Sequence, residues 1–212
     1  MKGIIIAGGK SISKLKLEKL LRDMDIIVAA DSGFKHLVGI NKEPDYLVGD
    51  LDSIDHTLLT TVDRERTRIV RHPVEKDKTD TELAIDVLVE NNVKEIFIVG
   101  GTGTRLDHTL SNINSLKYMY DRGINGTILD DHNIITYLKG EDSFYVKDKG
   151  RYVSILPISS DGVIISLDGF HYSLCNKLLE FGSSLGISNY LEAEEGTITC
   201  HKGEIIIIEA ID

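Results

Sequence analysis

The periodicity of apolar residues changes once along this chain, and that change constrains the fold more than any other feature. Up to about residue 128, short β-rich runs alternate with longer segments of helical period. The runs are GIIIA (3–7), DIIVAA (25–30), DYLVGD (45–50), RTRIVR (66–71), EIFIVG (95–100) and GTILDD (126–131), with helices expected near 13–23, 32–38, 56–63, 79–91 and 107–121. Such alternation implies a mainly parallel sheet with helices on its faces. After about residue 139 no amphipathic run reaches ten residues, and SFYV, RYVSILPI, GVIISL, GTITCH and EIIIIEA follow one another between glycines. That texture fits strands and turns of a sandwich. The chain therefore reads as an α/β domain over residues 1–130 followed by a small, sandwich-like all-β domain over 139–212. NIITYL (133–138) is assignable to either side.

Two helices carry strong local signals. TDTE at 79–82 fits a capping box, with Thr79 as cap and Glu82 reaching back, followed by apolar Leu83, Ala84, Val87 and Leu88. Leu106, Leu110, Ile113, Leu116 and Tyr120 recur at three- and four-residue spacing, which predicts the face that packs on the sheet. Gly123 is placed to end that helix.

Charge narrows the function. With 24 Lys and Arg against 34 Asp and Glu, the net charge is −10, which argues against a general nucleic-acid binder because backbone affinity comes from clustered cations. A single nucleotide is not excluded, since one metal ion can carry its charge. The first apolar run, Gly3 to Ala7, is too short for a signal-peptide core and far too short for a membrane span, so no membrane association and a cytoplasmic location are expected. The two cysteines, Cys175 and Cys200, make no zinc or disulfide pattern and read as space-filling residues.

Four loops that follow β-rich runs can carry chemistry, because ligands of open α/β sheets bind outside the carboxyl ends of the strands. In ADSG (30–33), Ser32 and Gly33 open a helix and offer backbone N–H groups to an anion, while Asp31 is either a helix cap or part of a crevice. In VGDLDSIDH (48–56), an extended chain would put Asp50 and Asp52 on one side as ligands for Mg²⁺, with Asp55 capping the next helix. The other reading is a solvated turn. In EKDKTDTE (75–82), a helix N-terminus with Lys76 and Lys78 suits phosphate, and Asp80 offers a third carboxylate or simply complements the helix dipole. In GGTGTRLDHTLSN (100–112), Gly101 and Gly103 allow close backbone approach and Arg105 can fork onto phosphate oxygens. Asp107 there orients Arg105, accepts from a ligand, or caps the helix; His108 reads as a packed or hydrogen-bonding residue more readily than a metal ligand. GIIIAGGKS fails the P-loop pattern and GTGTRL fails the dinucleotide fingerprint, so a nucleotide would be held another way.

Taken in order and spacing, ADSG, GDLDS, KDKTDTELA and GGTGTRLDHTLSN resemble the thiamine pyrophosphokinase family, and SLDGFHYSL (166–174) and FGSSLGISNYL (181–191) resemble its thiamine-binding segments. The resemblance implies transfer of the pyrophosphoryl group of ATP to the hydroxyl of thiamine, with Mg²⁺ at Asp50, Asp52 and Asp80. It implies that Arg105 and Asp107 line the nucleotide and pyrophosphate site, in the same crevice as Asp31, Ser32 and Gly33. It further implies thiamine contacts at Ser166 and Tyr172 and, less directly, Ser188 and Asn189, in a homodimer whose active sites are shared between subunits. Animal members carry a tryptophan where this chain has Tyr172, and a glutamine where it has Lys76. Asp80 and Asp107 are the two residues to test as a base. Two other functions fit parts of the pattern: a sensor that binds nucleotide or thiamine without chemistry, and a DxD-type phosphohydrolase with Asp50 as nucleophile. GDLDS follows the third strand and lacks the threonine or valine usual in the latter, and a sensor need not keep all three aspartates and Arg105.

Overall fold

The structure is a computed structural model of the chain from Met1 to Asp212; it describes all residues except Ser53, Thr61, Val74, Glu75 and Lys76, and describes His56 by its backbone alone. The chain divides into two compact units, Met1–Asp131 and His132–Asp212. NIITYL falls in the second, where it pairs antiparallel with the last strand.

In the first unit the elements run β1 (Lys2–Ile6), α1 (Lys14–Leu21), β2 (Ile26–Ala30), α2 (Phe34–Val38), β3 (Tyr46–Gly49), α3 (His56–Leu59), β4 (Arg68–Arg71), α4 (Asp80–Glu90), β5 (Glu95–Val99), α5 (Leu106–Tyr120) and β6 (Asn125–Leu129). The strands lie in the order β6-β5-β1-β2-β3-β4, and every registered pair among them is parallel. A parallel sheet needs both faces covered, which is why β1 and β2 are almost uniformly apolar. Ile4, Ile6, Ile27 and Ala29 face the side that also buries Leu17 and Leu21 of α1 and Phe34 and Leu37 of α2. On the other side α4 presses so closely that a Cβ on Gly3 would sit 2.7 Å from Leu88 Cδ2. The strand order steps outward from β1 and β5 in opposite directions, which makes their carboxyl ends the topological switch point where ligands of open α/β sheets bind.

The apolar stripe expected on α5 is its packed face only in part: Leu116 is buried and Ile113 and Tyr120 are half-buried, but the first two turns are not. Leu106 and Leu110 are 71% and 61% exposed, whereas Asn112, Ser115, Leu116 and Met119 are the buried residues. Spacing alone missed Asn112 and Ser115 because these two residues that face inward are polar and bonded. The capping box of α4 is present as read: Thr79 Oγ1 accepts from Glu82 N at 3.2 Å and Glu82 Oε2 accepts from Thr79 N at 2.8 Å. Asp55 also caps as expected, its Oδ1 accepting from Thr57 N at 2.8 Å.

The second unit contains β7 (Asn133–Lys139), β8 (Asp142–Val146), β9 (Tyr152–Pro157), β10 (Val163–Asp168), β11 (Leu174–Leu179), β12 (Asn189–Tyr190), β13 (Gly196–Lys202) and β14 (Glu204–Ala210). They form two antiparallel sheets, β12-β9-β14-β7 and β11-β10-β13-β8. Val153, Ile155, Ile205 and Ile207 of one sheet meet Val163, Ile165, Leu167 and Ile198 of the other in a single core, which makes the unit a sandwich. Cys200 fills space in that core, but Cys175 is exposed on β11 and fills none. Its strand, LCNKLL, carries no period-2 apolar pattern, and only Leu179 is buried.

Candidate active site

At the carboxyl edge of the first unit's sheet lies a cleft of ≈ 540 Å³. Its walls come from the ends of four strands and the start of one helix: Gly8 and Gly9 after β1, Asp31 and Ser32 after β2, Asp50 after β3, Gly101 to Arg105 after β5, and Thr79 and Asp80 at the start of α4. The cleft thus joins the four loops singled out from sequence and adds a fifth, the Gly8–Gly9 turn. That turn was legible as a glycine pair directly after a strand, but failure of the P-loop pattern gave no reason to place it at a site.

Close backbone approach explains the glycines. Gly9 N donates to Gly100 O and Lys10 N to Thr102 O, both at 2.9 Å, so the loops after β1 and β5 are stitched together. A Cβ on Gly9 would lie 2.3 Å from Thr102 O. Gly33 has the same constraint, since its Cβ would lie 1.9 Å from Ile6 O. His36 Nε2 donates to Gly9 O at 3.0 Å and Lys35 Nζ to Gly8 O at 3.2 Å, bracing the first turn from α2. Burial pushes the His36 imidazole below its ordinary range, opposed by the bond to Gly9 and reinforced by the nearby Lys35 ammonium. From α5, the buried Asn112 Nδ2 donates to Gly101 O at 2.7 Å, and Thr102 Oγ1 donates to Asp130 Oδ2 at 2.9 Å. Sequence reading missed His36, Asn112, Thr102 and Asp130 as supports of the site, because each acts through a partner distant in the chain.

The carboxylates of Asp31, Asp50 and Asp52 each offer an oxygen within 4.8 Å of the others. Adjacent parallel strands produce this: Ala30 on β2 pairs with Val48 on β3, so both chains reach the same edge together. The expected extended run through Asp50 and Asp52 is not what brings them to one side. Leu51 takes a left-handed φ of 68° and is buried in the core, and Asp50 Oδ1 accepts from Asp52 N at 3.1 Å. A tight turn, driven by burial of Leu51, aims both carboxylates. Asp80 lines the same cleft, with Oδ1 3.2 Å from where a Cβ of Gly49 would be. A group of hard, anionic oxygens at this spacing fits Mg²⁺, which takes a few carboxylates and completes its shell with water and phosphate oxygens.

Arg105, which lines the cleft, forms a two-point pair with Asp107, which does not, Nε to Oδ1 at 3.2 Å and Nη2 to Oδ2 at 2.6 Å. Arg105's hydrogen bonds hold the Asp107 carboxyl down at about 2. Arg105 itself is the cap residue of α5 and makes no side-chain cap, while Asp107 in the first turn both orients Arg105 and accepts from the His108 backbone, so two of its three readings are displayed together. Such a weakly basic carboxylate is a poor proton acceptor at neutral pH. His108 is exposed at the cleft wall.

Lysine placement departs from expectation. Lys78 pairs with Asp86, which also accepts from Tyr118 Oη at 2.6 Å, and it is not among the residues lining the cleft. That pairing pushes the Lys78 ammonium above its usual range. The contact expected of Lys76 lies outside the described residues.

The second unit holds the other four expected residues. Tyr172 is 60% exposed in the turn after β10, its ring edge-on to His171, which stacks on Tyr190 with centroids 4.7 Å apart. Asn189 is buried and its amide is engaged internally: Oδ1 accepts from Tyr172 N and Tyr190 N at 3.0 Å, and Nδ2 donates to Tyr172 O at 2.9 Å. Asn189 thereby clamps the Tyr172 main chain. Ser188 has φ 58°, and its N–H donates to Ser154 Oγ at 3.1 Å. Ser166 is half-buried on β10.

Comparison with known proteins follows the same division. The family model described as "Thiamin pyrophosphokinase, catalytic domain" matches residues 17–128, and "Thiamin pyrophosphokinase, vitamin B1 binding domain" matches 132–205. The chain is 32% identical over 209 residues to thiamine pyrophosphokinase of Bacillus subtilis, covering 98% of each. The crystal structure of the Bacillus subtilis enzyme superposes with a TM-score of 0.89 over all of both chains at 30% identity. Thiamin pyrophosphokinase from Geobacillus thermodenitrificans gives 0.84 at 30% identity, over 100% of this chain and 98% of that one. The Candida albicans structure, at 21% identity, shares the fold with a TM-score of 0.86, over 100% of this chain and 89% of that one.

Proposed function

The chain belongs to the thiamin pyrophosphokinase family and carries its activity, transfer of the pyrophosphoryl group of ATP to the hydroxyl of thiamine, and we propose that the first unit's cleft is where ATP is held for that transfer. The observation that carries the assignment is the convergence of acidic, glycine-rich and arginine-bearing loops on one cleft at the carboxyl edge of the sheet.

In the reaction the thiamine hydroxyl oxygen forms a bond to the β-phosphorus, the bond from that phosphorus to the α,β-bridging oxygen breaks, and AMP leaves with the electron pair. The hydroxyl proton passes to solvent or a phosphate oxygen. The hydrogen bonds from Arg105 hold the Asp107 carboxyl low, which disfavours its taking that proton. Arg105 supplies a fork for phosphate oxygens, with Asp107 fixing the plane of its guanidinium. Backbone N–H groups of the loops at Gly8, Gly33, Gly101 and Gly103 and the N-terminus of α4 offer positive dipole ends to the polyphosphate. Asp31, Asp50 and Asp52 would hold Mg²⁺, with Asp80 beside them. Bound there, Mg²⁺ supplies charge neutralisation for the phosphate oxygens.

For thiamine we propose Ser166 and the exposed face of Tyr172, whose ring suits a planar cation through a contact worth about 0.5–2 kcal/mol. The protein is further proposed to act in the cytoplasm as a homodimer with active sites shared between subunits. Among the described residues no helix is long and apolar enough to cross a membrane.

The test is to follow AMP and thiamine diphosphate from ATP, with thiamine and the divalent metal each supplied or withheld. Equimolar products that require both thiamine and Mg²⁺ are expected. Phosphate release without thiamine would point to a hydrolase, and binding of both substrates without AMP to a sensor.

A further inference from the structure

Strand β10 of the second unit faces a bulge in each of its neighbours, β13 and β11, and both bulges sit beside one hydroxyl. Against β13 the register passes from Ile164↔Lys202 to Ile165↔Cys200, so His201 is the extra residue. Against β11 it passes from Ile165↔Lys177 to Leu167↔Leu174, so β11 carries one residue more than β10 there, and Asn176 within that stretch has a left-handed φ of 45°. Bulges re-aim side chains and recur beside functional sites. Here Ser166 Oγ lies 2.8 Å from His201 Nε2 and accepts from Asn176 N at 2.9 Å. Ser166 is half-buried, while Asn176 and His201 are exposed.

A serine hydroxyl has one proton to give and two places to accept. Asn176 N–H fills one acceptor place. If Ser166 gives its proton to His201 Nε2, one lone pair is left, and it can only accept. We propose that His201 is a positioning residue that fixes Ser166 in this polarity, so that its remaining lone pair reads an N–H donor of the substrate. The inference rests on the reading that Ser166 contacts thiamine. Thiamine's N–H donors are those of its exocyclic amino group, so the arrangement assigns Ser166 to the aminopyrimidine end and makes His201 a determinant of specificity for it.

The test uses the full chain and steady-state AMP formation with two substrates, thiamine and the analogue whose exocyclic amino group is replaced by hydrogen. Ser166→Ala is expected to raise the thiamine KM. His201→Ala is expected to raise it about 5- to 10-fold, the worth of about one hydrogen bond, with kcat, ATP KM and Tm unmoved and with the KM of the analogue unchanged. His201→Gln, whose amide oxygen can accept from Ser166, should restore the thiamine KM to within about twofold of the parent. A thiamine KM raised by Ser166→Ala and untouched by His201→Ala overturns the role of His201 and leaves Ser166 as a contact. A thiamine KM untouched by Ser166→Ala overturns the Ser166 reading, and the inference with it. Equal KM rises for both substrates, or a fall in Tm that the Gln variant shares, would mean that His201 only supports the strand.

Discussion

Asn112→Ala tests whether the glycine loop after β5 is held in place from α5. In the native chain the Asn112 amide is buried and donates to Gly101 O at 2.7 Å. Removing it leaves a buried carbonyl without that donor, a loss of about 1–3 kcal/mol. For a chain of this size about 2–4 °C of Tm accompanies each kcal/mol, so a fall of about 2–12 °C is expected by calorimetry. Because Gly101 lines the cleft, the ATP KM should rise as well, with the thiamine KM unchanged. Ser115→Ala provides the contrast. Ser115 Oγ donates at 2.6 Å to the Asn112 carbonyl within the helix, so its loss should lower Tm without moving the ATP KM. A Tm within about 1 °C of the parent, together with an unaltered ATP KM, would refute the claim that Asn112 positions this loop.

Three other outcomes follow from the same geometry. Thr79→Ala removes the side-chain half of the α4 capping box and should cost about 0.5–2 kcal/mol in denaturant unfolding; Thr79→Ser, which can cap equally, should restore it. Asp107→Asn should leave the shape of the kcat–pH profile unchanged over roughly pH 6–9 while raising the ATP KM, because a carboxyl depressed from 3.8 to about 2 is ionised throughout that range. The stability it contributes is present above pH 3.8 and is lost as pH falls through about 2, well below that range; an acidic limb of the kcat–pH profile that disappears in the Asn variant would contradict the assignment. Gly33→Ala should fold poorly or lose ATP binding, since its Cβ would meet Ile6 O at 1.9 Å, and a normally stable, active variant would show that α2 can move away.

The order and type of most elements could be read from the sequence because side-chain period is local information. Apolar strands buried on both faces, the TDTE capping box and the Asp55 cap each depend on residues within a few positions. What escaped was set by partners far along the chain. Leu106 and Leu110 carry a helical apolar spacing but stay exposed, whereas Asn112 turns inward to bond Gly101. Leu51 leaves the extended conformation to bury its side chain, so Asp50 and Asp52 meet through a turn. Asp31 joins those two because β2 and β3 are parallel neighbours, which could have been inferred by aligning strand ends across the sheet. Lys78 looked like a phosphate ligand by position, yet Asp86 two helical turns away claims it. Asn189 likewise serves the Tyr172 main chain.

The central claim is that the carboxylates converging at the edge of β2 and β3 hold the metal that pyrophosphoryl transfer needs. The most direct measurement is AMP formation by Asp52→Asn across a Mg²⁺ titration, in the presence of saturating ATP and thiamine. Asp52 lies in an exposed turn, so the variant should fold normally. Turnover is predicted to fall by at least about 100-fold, with higher Mg²⁺ needed for what remains. A variant within a few-fold of the parent, at the same Mg²⁺ requirement, would contradict the account.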